Sequence, residues 1–206
     1  MINVFFDMDG TLIDSANAIS AAVNEIREKF ELAPLSREVI LEVINTPGVN
    51  WAKELYNIDD FHDKGFKEGF EKYFIKHYEQ SVVLFDKVIE LLEFLKEKKC
   101  YLAIATNAPQ SSLNQILKKH NITKYFDKIL GVSLGIEPKP HPMMLNLLKQ
   151  EAPYDLSVFI GDSAKDRECA KNANILYYHA KWYQKDLKEN EFSTAKQLKN
   201  LLEKHL

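Results

Sequence analysis

Cysteine is scarce in this chain: Cys100 and Cys169 are the only two among 206 residues. One opens an apolar run and the other sits in a helix-like stretch, which does not make a disulfide framework; a reducing, cytoplasmic setting fits. Long apolar runs are missing as well. No stretch approaches the roughly 20 residues needed to span a bilayer, and the N-terminus enters a strand-like run without a basic region or cleavage site. The expectation is a soluble, unprocessed protein with no membrane partner. Positive charge has no surplus, since 27 Lys and Arg stand against 30 Asp and Glu, a net charge of −3. That balance leaves no general basic field for nucleic acid. Internal repeats and low-complexity tracts are also absent.

With 46% hydrophobic residues, the chain is long enough to bury a sizeable core, and its length suits one main domain with an insertion. Residues 2–6, 100–105, 127–132, 156–160 and 174–178 are short, mostly apolar and bounded by turn or helix signals, and they read as buried strands. Between them Phe85, Val88, Ile89, Leu92 and Leu95 recur at helical spacing, as do Leu113, Ile116 and Leu117. Strands alternating with helices imply a parallel sheet with helices on both faces.

The interval between the first two strands, 7–99, is far longer than one crossover helix. It carries three apolar stripes: Ile19, Val23, Ile26 and Phe30; Val39, Ile40, Val43 and Ile44; and Phe66, Phe70, Tyr73, Phe74 and His77. Residues 15–80 therefore read as a small helical subdomain, with the aromatic stripe as its core. From Ser193 onward, Ala195, Leu198, Leu201 and Leu202 mark a surface helix behind a Ser or Thr cap.

Chemistry could sit in four places. The run ending at Phe6 delivers Asp7, with Asp9 two positions on, to the carboxyl end of a strand, where open parallel sheets bind ligands. Carboxylates so close raise each other's pKa unless a cation neutralises them, and an oxygen-only site suits Mg²⁺; a plain Asp-rich turn is the alternative. A second strand ends in Thr106 and Asn107, with Pro109 expected to start a helix. That pattern fits ordinary capping, and equally an anion site at a helix N-terminus. Lys139 lies between Pro138 and Pro140, either solvated or presented rigidly as a phosphate-binding point charge, while His141 reads as a helix-entry residue. A third strand ends in Gly161, Asp162 and Ser163, with Asp166 facing the same way one turn into a helix; dipole compensation alone would also place acids there.

Each piece has a bland explanation, yet all four fall at one edge of one sheet, in the order paired acids, Thr-Asn, Lys, paired acids. In FDMDGTL at 6–12, Thr106 with Asn107, Lys139 in its Lys-Pro setting, and Gly161-Asp162-Ser163 with Asp166, the sequence resembles the haloacid dehalogenase superfamily of phosphohydrolases. The resemblance spans essentially the whole chain. The helical insertion is similar to the cap of the phosphoglycolate phosphatase-like branch. It implies an α/β fold with a Rossmann-like, three-layer parallel-sheet core, 1–14 and 81–206, and an all-helical cap, 15–80.

The resemblance further implies Asp7 as nucleophile forming an aspartyl phosphate, and Asp9 as general acid and then base. Mg²⁺ would be held by Asp7, the backbone carbonyl of Asp9, Asp162 and, directly or at one remove, Asp166. Thr106, the Asn107 amide and Lys139 would bind phosphoryl oxygens, and closing of the cap would shield the intermediate from water. The turn Asn45-Thr46-Pro47-Gly48 is expected either to join two cap helices or, through Thr46, Pro47 and Gly48, to face substrate. The implied partner is a small phosphorylated metabolite, phosphoglycolate-like or a sugar phosphate, and the implied state is a monomer or weak dimer. A hexose-phosphate mutase of the same superfamily is the first alternative, although Ile19 stands where such mutases resemble one another in a cap histidine. A non-catalytic phosphate-binding regulatory module is the second.

Overall fold

The structure is a computed structural model describing residues 1–60, 72–73, 75–78 and 80–206. The chain forms two compact units, one of Met1–Ile13 with Leu84–Leu206 and one of Asp14–Val83.

In the first unit the described strands are β1 (Asn3–Phe6), β4 (Tyr101–Pro109), β5 (Lys128–Val132), β6 (Ser157–Gly161), β7 (Leu176–Ala180) and β8 (Glu191–Phe192). They form one six-stranded sheet in the order β5-β4-β1-β6-β7-β8. Every neighbouring pair is parallel, so all carboxyl-terminal strand ends share one edge. Ile13–Asp14 (β2) and Val83–Leu84 (β3) make a separate two-stranded sheet. The helices of this unit are α4 (Val88–Glu97), α5 (Gln110–Lys119), α6 (Met143–Glu151), α7 (Ala164–Asn172) and α8 (Ala195–Glu203); α1 to α3 belong to the second unit.

Alternation along the strands explains the layering. Phe5, Ala103, Ala105 and Phe159 point to one face, where Met144, Leu145 and Leu148 of α6 and Cys169 and Ala170 of α7 close over them. Val4, Phe6, Leu102, Ile104, Val158 and Ile160 are fully buried on the other face, so the sheet is covered on both sides and the fold is a three-layer Rossmann-like α/β core. Each buried Phe or Ile contributes about 1.5–3 kcal/mol relative to exposure. The one polar residue in β1, Asn3, is fully buried and satisfied: its carboxamide donates to the Tyr154 carbonyl at 2.6 Å and to Ser157 Oγ at 2.9 Å, and accepts from Tyr154 N at 3.2 Å.

Several expectations are corrected. Pro109 does not start a helix; it ends β4 in an extended conformation, and α5 begins at Gln110. The register between β4 and β5 shifts between Ala105 and Pro109, and this irregularity carries the strand through Thr106 and Asn107, which therefore do not cap a helix. Ile89, Val39 and Phe30 fit their stripes by spacing but are 40%, 43% and 44% exposed. Ile89 lies in the first turn of α4, and Phe30 follows the last residue of its helix, where the stripe no longer faces a partner. The two-residue strands β2, β3 and β8 are too short to show any periodicity.

The second unit contains α1 (Ala16–Lys29), α2 (Arg37–Asn45) and α3 (Trp51–Tyr56). Ser36 and Asn50 cap α2 and α3 by accepting from Val39 N and Lys53 N. The core joins Val23, Ile26, Ile40, Leu55 and Tyr56, with Ile19, Val43, Ile44 and Tyr73 packed against it. Buried Arg27 is satisfied by the carbonyls of Ala33 and Leu55. Of the expected aromatic stripe, Phe66, Phe70 and Phe74 lie outside the described residues.

Candidate active site

Asp7 follows the last residue of β1, and its amide still donates to the Ile160 carbonyl at 2.8 Å. The strand thus sets the direction of the Asp7 side chain before the chain turns. The turn is tight because the Met8 carbonyl accepts from Leu12 N at 2.9 Å and Ile13 N at 3.0 Å, while Gly10 N donates back to the Ile13 carbonyl at 2.8 Å. Gly10 has φ +78°, and a side chain there would meet the Asp162 carboxylate. Trp182, in the loop after β7, donates from Nε1 to the Thr11 carbonyl at 3.0 Å and stacks on Phe85 with ring centres 4.5 Å apart. The turn carrying Asp9 is pinned from outside.

Asp162 and Ser163 follow β6. Ser163 caps α7 in a reciprocal capping box with Asp166: Asp166 N donates to Ser163 Oγ, and Ser163 N donates back to Asp166 Oδ2 at 3.0 Å. The cap swings the Asp166 carboxylate back over the strand end, where its side chain takes the room that a Cβ on Gly161 would need. One carboxylate oxygen from each of Asp7, Asp162 and Asp166 lies within 4.8 Å of the others. The Asp9 carboxylate is not part of this group.

Lys139 arrives from the loop between β5 and α6 and is only 4% exposed. Its Nζ lies 2.5 Å from Asp7 Oδ1 and 2.6 Å from Asp166 Oδ1, which rules out the solvated reading. Burial alone would push this ammonium down, but the Asp166 and Asp7 carboxylates more than offset that and hold it above its ordinary value. Burial pushes the Asp7 carboxyl up to about 7, with Lys139 pulling the other way. Asp162 is raised well above the usual carboxylate range, by burial and then by Asp166 and Asp7. Burial is the first cause for both carboxyls, and a charge imbalance adds to it: one ammonium against three carboxylates leaves two negative charges uncompensated, the charge of one divalent cation. The donors are all carboxylate oxygens, and this set fits a hard cation such as Mg²⁺.

Thr106 is buried, and its Oγ1 accepts from Ala108 N at 3.2 Å. Asn107 turns its carboxamide onto the backbone of Lys139, as described below. Residues three apart on α7 hold the same loop: Cys169 Sγ donates to the His141 carbonyl at 3.3 Å and Asn172 Nδ2 to the Pro140 carbonyl at 3.2 Å. Their spacing from Asp166 was readable in the sequence as one helix face; nothing in the sequence marks Trp182. His141 accepts from Met143 N at 3.2 Å through Nδ1, a helix-entry contact as expected. Thr46, Pro47 and Gly48 lie in the second unit, where Thr46 ends α2 and returns its hydroxyl to the Glu42 carbonyl at 2.7 Å.

The family profile of haloacid dehalogenase-like hydrolases matches residues 4–180. The chain belongs to this family. It is 31% identical over 180 residues to the phosphoglycolate phosphatase of Mannheimia succiniciproducens, covering 82% of this chain and 80% of the relative. It is 30% identical over 181 residues to that of Vibrio parahaemolyticus, with 82% and 79% covered. Among solved structures, one described as a predicted phosphoglycolate phosphatase from Haemophilus somnus superposes with a TM-score of 0.80 at 26% identity, over 97% of both chains. A Thermotoga maritima protein described as a β-phosphoglucomutase candidate superposes with a TM-score of 0.75 at 25% identity, over 100% of both. No described helix of this haloacid dehalogenase-like hydrolase is long and apolar enough to cross a membrane.

Proposed function

We propose that this hydrolase is a Mg²⁺-dependent phosphatase acting on a small phosphate monoester. The observation that carries the reading is the group of buried Asp7, Asp166 and Lys139 with half-buried Asp162, short of two positive charges at the end of a parallel strand. Relatives named phosphoglycolate phosphatase, covering 82% of the chain, support phosphoglycolate or a compound of similar size as substrate.

Asp7, Asp162 and Asp166, with the Asp9 carbonyl, would hold the cation. When bound, it neutralises the carboxylates, keeps Asp7 anionic and draws charge from the phosphoryl oxygens. Lys139, Thr106 and the Asn107 backbone amide bind the remaining phosphoryl oxygens and align phosphorus with Asp7. An Asp7 oxygen attacks phosphorus as the ester P–O bond breaks, and Asp9 gives its proton to the departing alcohol. Asp9 then takes a proton from water, whose oxygen attacks the aspartyl phosphate and restores the Asp7 carboxylate with release of orthophosphate. Positioned proton transfer of this kind contributes roughly 10² to 10⁴ in rate, and charge neutralisation with alignment supplies most of the rest.

A mutase reading has the likeness to the Thermotoga maritima structure behind it. Against it, Ile19 offers no proton-transfer group at the position where the mutases carry a histidine. The deciding experiment is phosphate release from p-nitrophenyl phosphate and from a panel of about a hundred metabolite esters, ranked by kcat/KM. Turnover abolished by EDTA and by Asp7→Asn is expected. No release from any ester with Mg²⁺ present would overturn the phosphatase, and transfer to a sugar hydroxyl with little free phosphate would establish the mutase.

A further inference from the structure

We infer that the side chain of Asn107 is the positioning group for Lys139, holding it at the phosphoryl site through the Lys139 backbone, and that this carboxamide does not itself touch the phosphoryl group. The inference rests on the reading of Lys139 given above and adds a residue whose side chain that reading leaves without a task.

The difficulty for any chain that needs a lysine here lies in the sequence Pro138-Lys139-Pro140. Neither proline has an N–H, so Lys139 N is the single amide donor of the three residues. The loop therefore cannot be held by an ordinary backbone ladder. Asn107 answers this with both ends of one carboxamide. Its Oδ1 accepts from Lys139 N at 2.8 Å and its Nδ2 donates to the Lys139 carbonyl at 3.0 Å. A single planar group thus takes up both backbone polar groups of Lys139 across 32 residues of sequence.

The far side of the loop is held independently by Cys169 and Asn172 on α7. Asn107 is also fixed at its own base, because it lies within β4, and three residues on Gln110 Oε1 accepts from Gly131 N at 2.7 Å and ties α5 to β5. The pair of hydrogen bonds consequently sets the Lys139 Cα against the strand that carries Thr106. From that point the lysine stem reaches Asp7 and Asp166 together. A lysine has four rotatable side-chain bonds, and a displaced backbone would let Nζ follow one carboxylate and leave the other; catalytic groups lose effect when misplaced by fractions of an ångström to one ångström. Both polar ends of the carboxamide are engaged with Lys139, which is the geometry of a brace.

A double-mutant cycle tests this with orthophosphate as the probe, its affinity measured by calorimetry in the presence of Mg²⁺ for Asn107→Ala, Lys139→Ala and the double variant. Asn107→Ala is expected to weaken orthophosphate about tenfold, the size of roughly one net hydrogen bond, and to add less than about twofold on the Lys139→Ala background. Asn107→Asp keeps the shape and the acceptor but sets a carboxylate oxygen against the Lys139 carbonyl. It is expected to weaken binding comparably, and it carries the test if the alanine variant does not fold. Should Asn107→Ala and Asn107→Asp bind orthophosphate normally while Lys139→Ala is impaired, the inference fails alone. An undiminished effect of Asn107→Ala on the Lys139→Ala background would mean direct contact and would also overturn it. If Lys139→Ala itself binds normally, the reading of Lys139 fails and the inference falls with it.

Discussion

The Asp162 carboxylate occupies the space that a side chain on Gly10 would need: a Cβ built on Gly10 would stand 2.0 Å from Asp162 Oδ2. The two residues are far apart in sequence, and the site depends on one of them having no side chain.

Gly10→Ala therefore combines two faults, a left-handed φ of +78° that costs an alanine about 1–2 kcal/mol and a clash that displaces Asp162. The expected result is Mg²⁺ affinity reduced by at least about tenfold, one misplaced ligand's worth, together with lower stability. Calorimetric titration of Mg²⁺ and urea unfolding measure both. Wild-type Mg²⁺ affinity in this variant would show that Asp162 is not a ligand.

Asp166 has two tasks, closing the α7 capping box and pairing with Lys139. Asp166→Ala removes both and leaves Lys139 short of a partner, an expected loss of about 3–5 kcal/mol on the scale of a broken buried ion pair. Asp166→Asn retains hydrogen-bonding capacity toward Ser163 and should lose less. Urea unfolding checks the order; equal stability of the two variants would contradict it.

Asp9 stands outside the carboxylate group formed by Asp7, Asp162 and Asp166. Asp9→Asn should lower kcat by roughly 10² to 10⁴ while leaving Mg²⁺ affinity within a factor of about two, because the proposed metal contact of Asp9 is its backbone carbonyl, which the substitution keeps. Equal losses of turnover and of Mg²⁺ binding would remove Asp9 from the acid–base role.

His179 provides a test by pH. Burial, helped by the Arg167 charge, pushes its imidazole down to about 4 from an ordinary 6.5, and Nδ1 faces the Tyr177 hydroxyl at 2.8 Å. The folded state keeps the ring neutral while the unfolded chain takes up a proton below about 6.5. This contribution to stability is complete above that value and is lost as pH falls toward about 4. The full shift would be worth about 2 kcal/mol at pH 5, and solvent reaching the partly exposed ring cuts this to about 1 kcal/mol, so between pH 7 and pH 5 the wild-type Tm should fall further than that of His179→Asn by about 2–4 °C. Parallel Tm profiles would refute the assignment.

The motifs were legible because a parallel sheet turns sequence order into spatial convergence. Asp7 and Asp162 each follow a strand and Thr106 lies toward the carboxyl end of β4, and parallel strands bring such ends to one edge whatever lies between them. Exposure was less legible. Spacing placed Ile89 and Phe30 on buried stripes, but a stripe is buried only as far as a partner element extends, and both sit at or near a helix terminus. Pro109 misled for a related reason: the shifted pairing of β4 with β5 outweighed the local preference of a proline to open a helix.

By itself, then, the sequence determined the alternating α/β core, the inserted helical segment and the residues proposed to hold a cation and a phosphoryl group, since these follow from local periodicity and from strand ends. Only the tertiary structure decided how those groups are held. The room over Gly10 belongs to Asp162, Lys139 is shared between Asp7 and Asp166, and the carboxamide of Asn107 braces the lysine backbone. Each is a contact between distant segments, whose formation depends on packing and desolvation that no spacing along the chain encodes.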